Sequence, residues 1–135
     1  MKSLTLEATI ENIPRVTAFV DELLEKNDCA MKAQLQIDVA IDEIFCNIAS
    51  YAYGGATGEV TVQFDLDPST RMASITFIDG GIPFDPLQQT DPDVTLSIEE
   101  RQVGGLGIFL VKKTMDRMEY RREDDRNILT IHKCI

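Results

Sequence analysis

Cysteine, histidine and basic residues are scarce in this chain, and each scarcity argues against a class of protein. Three cysteines, an odd number without Cys-x-x-Cys spacing, argue against a disulfide framework and a zinc site, so we expect free, buried thiols. Lysine and arginine total 13 against 23 acidic residues, and the formal net charge of -10 without a basic cluster argues against direct nucleic-acid binding. No apolar run approaches the roughly 20 residues of a membrane span, and the N-terminus lacks the pattern of a signal peptide. We therefore expect a cytoplasmic protein without membrane contact.

The length of 135 residues fits one domain spanning residues 1–135, and hydrophobic periodicity predicts its elements. Alternating apolar residues predict five strands, near residues 4–10, 60–66, 73–77, 118–120 and 129–131. Helical spacing predicts three helices, over residues 13–27, 30–53 and 106–118. Between residues 86 and 103 periodicity is lost, which is typical of a functional loop. Because strands and helices are partly segregated, we predict an α+β fold: a two-layer α/β sandwich whose mixed, mostly antiparallel sheet has three helices on one face.

Two polar residues lie one turn apart on the predicted second helix, at the edge of its apolar stripe. Glu43 and Asn47 are about 40° apart around a helix axis, so they share one side of the helix. A carboxylate one turn from an amide can act as a general base beside a metal-binding oxygen. The same spacing also fits a plain solvated pair, which is the commoner arrangement for these residue types.

Two glycine-containing segments follow in the chain. Asp79-Gly80-Gly81 comes directly after an apolar strand; its glycines allow the backbone to approach a ligand, and its aspartate can accept a hydrogen bond from the exocyclic amine of adenine. Gly104-Gly105-Leu106-Gly107 opens a helix, where free N–H groups and the helix dipole favour an anion. Taken alone, segments like the first are more often strand-terminating turns, and segments like the second are more often flexible loops that enter a helix. No Gly-Lys-Ser/Thr follows, so a Walker-type P-loop is excluded.

In their order along the chain, these segments resemble the signature of the histidine-kinase-like (GHKL) ATPase superfamily. That signature is a helix with Glu-x-x-x-Asn, then Asp-x-Gly at a strand end, a lid loop, and Gly-x-Gly opening a helix. Glu43 and Asn47 look like its N box. Asp79 and Gly81 resemble its first glycine box, and Gly105 and Gly107 resemble its second.

Within that superfamily, residues 47–53 and 83–86 are most similar to the stand-alone anti-sigma-factor serine/threonine kinases. The likeness implies ATP and Mg²⁺ as cofactors, with Glu43 as the catalytic base, Asn47 as the Mg²⁺ ligand and Asp79 as the residue that reads adenine. The other nucleotide-binding residues that it implies are Gly81, Phe84, Arg101, Gly104, Gly105, Leu106 and Gly107.

Two positions depart from the pattern of this group. Tyr51 stands where the group usually has histidine, and Val103 stands where an arginine close to the terminal phosphate is usual, so that Arg101 is the nearest candidate for that role. Without such an arginine, phosphoryl transfer would be slow or absent while nucleotide binding survives. The single histidine, His132, falls in the last predicted strand and not on an upstream helix, which argues against histidine autophosphorylation.

The resemblance implies a protein serine/threonine kinase that phosphorylates an anti-sigma-factor antagonist and sequesters a sigma factor or a similar regulator. Residues 86–103 would then form a lid over the nucleotide. Two alternatives stay open from the sequence: a nucleotide-gated protein-binding module with little or no catalysis, and a bare ATPase. By the same likeness, a homodimer is the expected assembly.

Overall fold

The computed structural model describes residues 1–88 and 105–135, and for residues 105 and 106 it describes the backbone alone. Within these ranges the α-helices are α1 (Ile13–Lys26), α2 (Met31–Asn47) and α3 (Gly105–Thr114). The strands are β1 (Lys2–Glu7), β2 (Glu59–Asp67), β3 (Met72–Asp79), β4 (Arg117–Glu123) and β5 (Arg126–Cys134). Short 3₁₀ turns lie at Ile10–Asn12 and Pro86–Gln88, and a π-helical turn follows α2 at Ile48–Ala52.

The strands form a single sheet in the order β1-β2-β3-β5-β4. All four pairings are antiparallel, and the pairing of β3 with β5 places Asp79 directly opposite Asn127. The predicted α+β sandwich is confirmed. The sheet is more uniform than predicted, because the described strands contain no parallel pair, whereas the sequence predicts a mixed sheet.

All three helices pack on one face of this sheet. The buried apolar positions of the central strands alternate along each strand and belong to that face: Val60, Val62 and Phe64 in β2, Ala73, Ile75 and Phe77 in β3, and Leu129 and Ile131 in β5. The helices contribute Val16, Val20 and Leu24 from α1, Ile37, Ile41, Ile44 and Phe45 from α2, and Val111 and Met115 from α3. Burying each valine, leucine, isoleucine, phenylalanine or methionine side chain of this set stabilises the fold by roughly 1.5–3 kcal/mol. The apolar residues with helical spacing and those that alternate along the strands therefore pack together in one core.

The second helix ends differently from the prediction of a continuous helix to residue 53. Regular α-helix stops at Asn47, and the chain continues as the π-helical turn. Such wider turns often occur at functional sites because they re-aim the backbone. Here the turn presents the Ala52 carbonyl, which accepts a hydrogen bond from the Ile82 N–H at 2.8 Å. The third helix is also shorter than predicted, since it ends at Thr114 and β4 begins at Arg117.

The opposite face of the sheet is polar, with side chains paired across strands. One such group surrounds His132, which is 8 % exposed. Its Nδ1 lies 2.8 Å from the Ser74 hydroxyl and its Nε2 lies 2.7 Å from a Glu119 carboxylate oxygen. Because both ring nitrogens have protein partners, this histidine stabilises the sheet.

The cysteines are free, as the sequence predicts, but they are not buried. Cys134 is exposed at the end of β5, and Cys29 and Cys46 are half-buried. In the described parts of the chain, no helix combines the length and apolar character needed to cross a membrane.

Candidate functional site

A cavity lies between the end of α2, the segment after β3 and the start of α3. The space between its lining atoms amounts to about 530 Å³, a volume that includes open solvent. Its walls are mostly apolar, formed by side chains that include Ile44, Ile108 and Leu129. Asn47, Asp79 and Asn127 also line it. A largely apolar cleft with a few polar groups suits a flat, polar-edged ligand such as a nucleotide base.

The segment after β3 is a close-fitting backbone loop on the cavity wall. Asp79 is 5 % exposed, and its Oδ1 accepts a hydrogen bond from the Gly81 N–H at 2.9 Å. A side chain at Gly81 would overlap the backbone carbonyl of Ala52, so only glycine allows this packing. Tyr53 fixes the loop from the other side, because its hydroxyl accepts from the Gly80 N–H at 2.8 Å. The loop that follows Asp79 therefore has little freedom.

The β4–β5 hairpin adds a second set of contacts to that loop, and sequence reasoning did not anticipate them. Asn127 Nδ2 donates to Asp79 Oδ1 at 2.9 Å and to the Ile82 carbonyl at 2.8 Å. Arg122 Nη1 donates to the Gly81 carbonyl at 2.8 Å. The predicted last strand covers residues 129–131 and leaves residue 127 outside it. Residue 127 is instead a buried residue of β5. The sequence did carry a signal for this, because residue 127 lies two positions before Leu129 and so continues the alternation of inward-facing residues.

Glu43 lies beside the start of α3 and not in the cavity wall itself. Its carboxylate packs directly against Gly107, where any side chain would overlap both the Glu43 Oε2 and Cδ atoms. Asn47, one turn further along α2, lines the cavity. The first turn of a helix presents free N–H groups and a positive dipole end, so an anion bound there would lie near this carboxylate.

The structure brings together most of the residues predicted for the site. Asn47, Asp79 and Phe84 line the same cavity, and Gly81 is bonded to Asp79. Gly107 packs on Glu43, and Gly105 is the first residue of α3. Three predictions lie outside what the structure describes: Arg101, Gly104 and the side chain of Leu106, together with most of the predicted lid over 86–103.

The described residues contain no group of three or more histidine, cysteine or acidic side chains that could hold a metal ion. A magnesium ion that is bound mainly through substrate phosphates takes only one or two protein oxygens. The Asn47 side-chain oxygen is a suitable protein donor for such an ion.

Residues 6–133 match the family described as the histidine kinase-like ATPase domain, and the chain belongs to that family. Membership implies ATP as the nucleotide.

Among named relatives, the chain is similar to the serine/threonine-protein kinase BtrW of Bordetella bronchiseptica. The two are 24 % identical over 129 residues, which cover 96 % of this chain and 90 % of that protein. It is also similar to the serine-protein kinase RsbW of Bacillus cereus, at 30 % identity over 97 residues, covering 67 % of this chain and 58 % of the relative. The resemblance to the anti-sigma-factor serine kinases is thereby confirmed.

A solved structure has the same fold. The histidine kinase domain of the blue-light activated histidine kinase from Erythrobacter litoralis EL346 superposes with a TM-score of 0.57 at 15 % identity. The superposition covers 93 % of this chain and 60 % of that one. At this identity the likeness concerns the fold alone.

Proposed function

We propose that this protein is a protein serine/threonine kinase that binds ATP in the cavity and phosphorylates a hydroxyl of a partner protein. The observation that supports it best is the arrangement of Glu43 against Gly107, because it brings a carboxylate to the helix start suited to phosphates. The proposed substrate is an anti-sigma-factor antagonist, and a sigma factor or similar regulator is the proposed second partner. Similarity to kinases of that type supports both.

For the nucleotide, Asp79 is the proposed reader of the adenine amine. Its Oδ1 is engaged by Gly81 and Asn127, which leaves the other carboxylate oxygen to accept a hydrogen bond. Apolar walls such as Ile44 and Ile108 would pack on the base, and Phe84 lies at the cavity rim. The phosphates would lie at the start of α3, near Gly105 and Gly107, where backbone N–H groups favour anions.

In the transfer step, the substrate hydroxyl oxygen forms a bond to the terminal phosphorus of ATP, the bond from that phosphorus to the bridging oxygen of ADP breaks, and ADP leaves. Glu43 would accept the proton of the hydroxyl as general base. Asn47 would hold Mg²⁺ through its side-chain oxygen, and the ion would supply positive charge against the negative charge that develops during transfer. Residues 86–103 are proposed as a lid that excludes water, and Arg101 as a ligand of the terminal phosphate.

Two further features belong to this proposal. The proposed compartment is the cytoplasm, where sigma factors act, and the proposed assembly is a homodimer. Both are supported by likeness to the anti-sigma-factor kinases and not by a feature of the site.

The test combines nucleotide binding with phosphorylation of the antagonist partner. Wild-type protein should bind ATP with Mg²⁺ in calorimetric titration and produce phosphoserine or phosphothreonine on the partner. Glu43→Gln should lower the phosphorylation rate at least about a hundredfold, because a general base contributes roughly that much, and should leave ATP affinity nearly unchanged. Asp42→Asn is the matched control, since Asp42 is the neighbouring acidic residue and is exposed.

Other outcomes discriminate among the alternatives. Normal phosphorylation by Glu43→Gln would refute the catalytic assignment of that residue. ATP binding without phosphorylation of a verified partner would replace the kinase proposal by a nucleotide-gated binding module. Release of phosphate without partner phosphorylation would indicate a bare ATPase.

A further inference from the structure

Asn127 is a buried polar residue of the cavity wall whose hydrogen-bonding capacity is used completely by the protein. It is 5 % exposed and lies directly opposite Asp79 in the pairing of β3 with β5. Its amide nitrogen donates to Asp79 Oδ1 at 2.9 Å and to the Ile82 carbonyl at 2.8 Å. Its oxygen accepts from the Tyr120 hydroxyl at 2.5 Å and from the Phe84 N–H at 3.3 Å. An asparagine has two N–H donors and two oxygen lone pairs, so nothing remains for a ligand.

These contacts also fix which way the amide points. The Phe84 N–H can only donate, so it requires the amide oxygen on its side. A rotated amide would direct that oxygen at the Asp79 carboxylate and the Ile82 carbonyl, placing acceptor against acceptor at both contacts. The Tyr120 hydroxyl reinforces the observed orientation from β4.

As a consequence, the two carboxylate oxygens of Asp79 differ in their hydrogen bonding. Oδ1 takes two hydrogen bonds, from the Gly81 N–H and the Asn127 amide, both at 2.9 Å. Among the described residues the other oxygen accepts none, while the residue as a whole lines the cavity. A single acceptor held in one position favours a ligand donor at that point and disfavours a ligand acceptor.

We propose that Asn127 is a positioning residue that sets the base selectivity of the nucleotide site by orienting Asp79. The assignment rests on the proposed function, in which Asp79 faces the 6-position of the base. Adenine presents an amine there, which donates to the free carboxylate oxygen. A 6-oxo base presents a carbonyl, which would place two acceptors together. Tyr120 contributes through Asn127, since its hydroxyl holds the amide in place.

The experiment compares ATP with inosine triphosphate (ITP), whose base carries an oxo group in place of the 6-amine. Calorimetric titration in the presence of Mg²⁺ gives the Kd of both nucleotides for each variant. Wild-type protein should prefer ATP by about tenfold to a hundredfold, the range for a hydrogen bond to a charged group. Asp79→Asn provides the reference in which the carboxylate is lost.

Asn127→Asp is the principal variant because it keeps the shape and the acceptor oxygen for Tyr120 and Phe84 while removing both donors. The expected result is an ATP affinity at least tenfold weaker and an ATP-to-ITP preference that falls close to one. Tyr120→Phe should reduce the preference severalfold with little loss of stability. Asn12→Asp is the matched control: its amide donates to the Glu7 carbonyl far from the cavity, and both affinities should be unchanged.

A purely structural role for Asn127 would weaken ATP and ITP binding by the same factor, and an unchanged preference would overturn the assignment while leaving the proposed function intact. If Asn127→Asp does not fold, Tyr120→Phe decides, because an unchanged ATP-to-ITP preference in that variant would also overturn the assignment. If the wild-type protein binds neither nucleotide, the proposed function fails, and the assignment fails with it.

Discussion

Replacing Asp38 by asparagine should stabilise the folded protein at pH 8 and have a much smaller effect at pH 5. Asp38 on α2 faces Asp21 on α1, and one carboxylate oxygen of each is buried without a hydrogen-bond partner. Burial of the Asp38 carboxyl, followed by the hydrogen bond that its protonated form can make to Asp21 and by repulsion from Asp21 and Glu25, raises its pKa from 3.8 to about 7. A hydrogen bond between two carboxyl groups needs a proton on one of them, so full ionisation leaves both oxygens unpaired.

The sign follows from linkage. Above pH 3.8 the unfolded chain loses this proton, while the folded chain keeps it until about pH 7. Stability from this group is therefore fully present at low pH and is lost as the pH rises through that window. A separation of about 3 pH units corresponds to about 4 kcal/mol for a fully shielded site. Asp38 is only partly buried, so solvent screening reduces the expected loss to about 1–2 kcal/mol.

Asparagine removes this loss because it is neutral at every pH and its amide can donate to Asp21. We expect Asp38→Asn to raise the free energy of unfolding at pH 8 by about 1–2 kcal/mol, or the Tm by about 4–8 °C, and by less than half as much at pH 5. Urea denaturation at both pH values measures the difference. Asp42→Asn, at an exposed position of the same helix, controls for removal of one negative charge from an acidic protein. An equal gain at both pH values, or an equal gain from the control, would refute the reasoning.

Two further predictions concern the glycines and the loop of the site. Gly107→Ala should displace the flexible Glu43 carboxylate and lower the phosphorylation rate about a hundredfold with no loss of stability. In Gly81→Ala, by contrast, the new side chain meets the rigid Ala52 carbonyl and should lower the free energy of unfolding by about 1–3 kcal/mol. Kinase assays and urea denaturation of both variants check this contrast; equal stabilities for the two would contradict it. Tyr53→Phe removes one hydroxyl with bonds to two backbone groups and should lower the free energy of unfolding by about 1 kcal/mol. Denaturation at neutral pH measures that loss, and an unchanged midpoint would show that water replaces both bonds.

Much of the fold follows from local patterns. The helical spacing of Val16, Val20 and Leu24 predicts α1, and the alternation of Val60, Val62 and Phe64 predicts β2; each stretch forms the predicted element. Such patterns are reliable because one element must turn one side to the core, and that requirement is written along its own residues. The ends of α2 and α3 were less predictable, since they depend on what the next segment packs against.

Some residues of the candidate site could likewise be predicted from local patterns, and others could not. Glu43 and Asn47, Asp79 and Gly81, and the glycines of α3 were found from spacing, because each pair is local to one turn or one loop. The contributions of Tyr53 and Arg122 to the loop were missed. Each reaches the loop from an element distant in sequence, and neither has a local pattern that distinguishes it from an ordinary surface residue.

By itself, the sequence determined the family and the existence of the helices and strands, and it predicted the residues of the three boxes, since all of these depend on short-range spacing and chemistry. Only the tertiary structure decided that Asn127 lies opposite Asp79 and that Asp38 faces Asp21. Strand register and helix packing bring together residues 48 and 17 positions apart, and no local period encodes such a meeting. The physical reason is that partners across a sheet or between helices are selected by the fit of whole faces in the core, where one residue of slip exchanges buried and exposed sides.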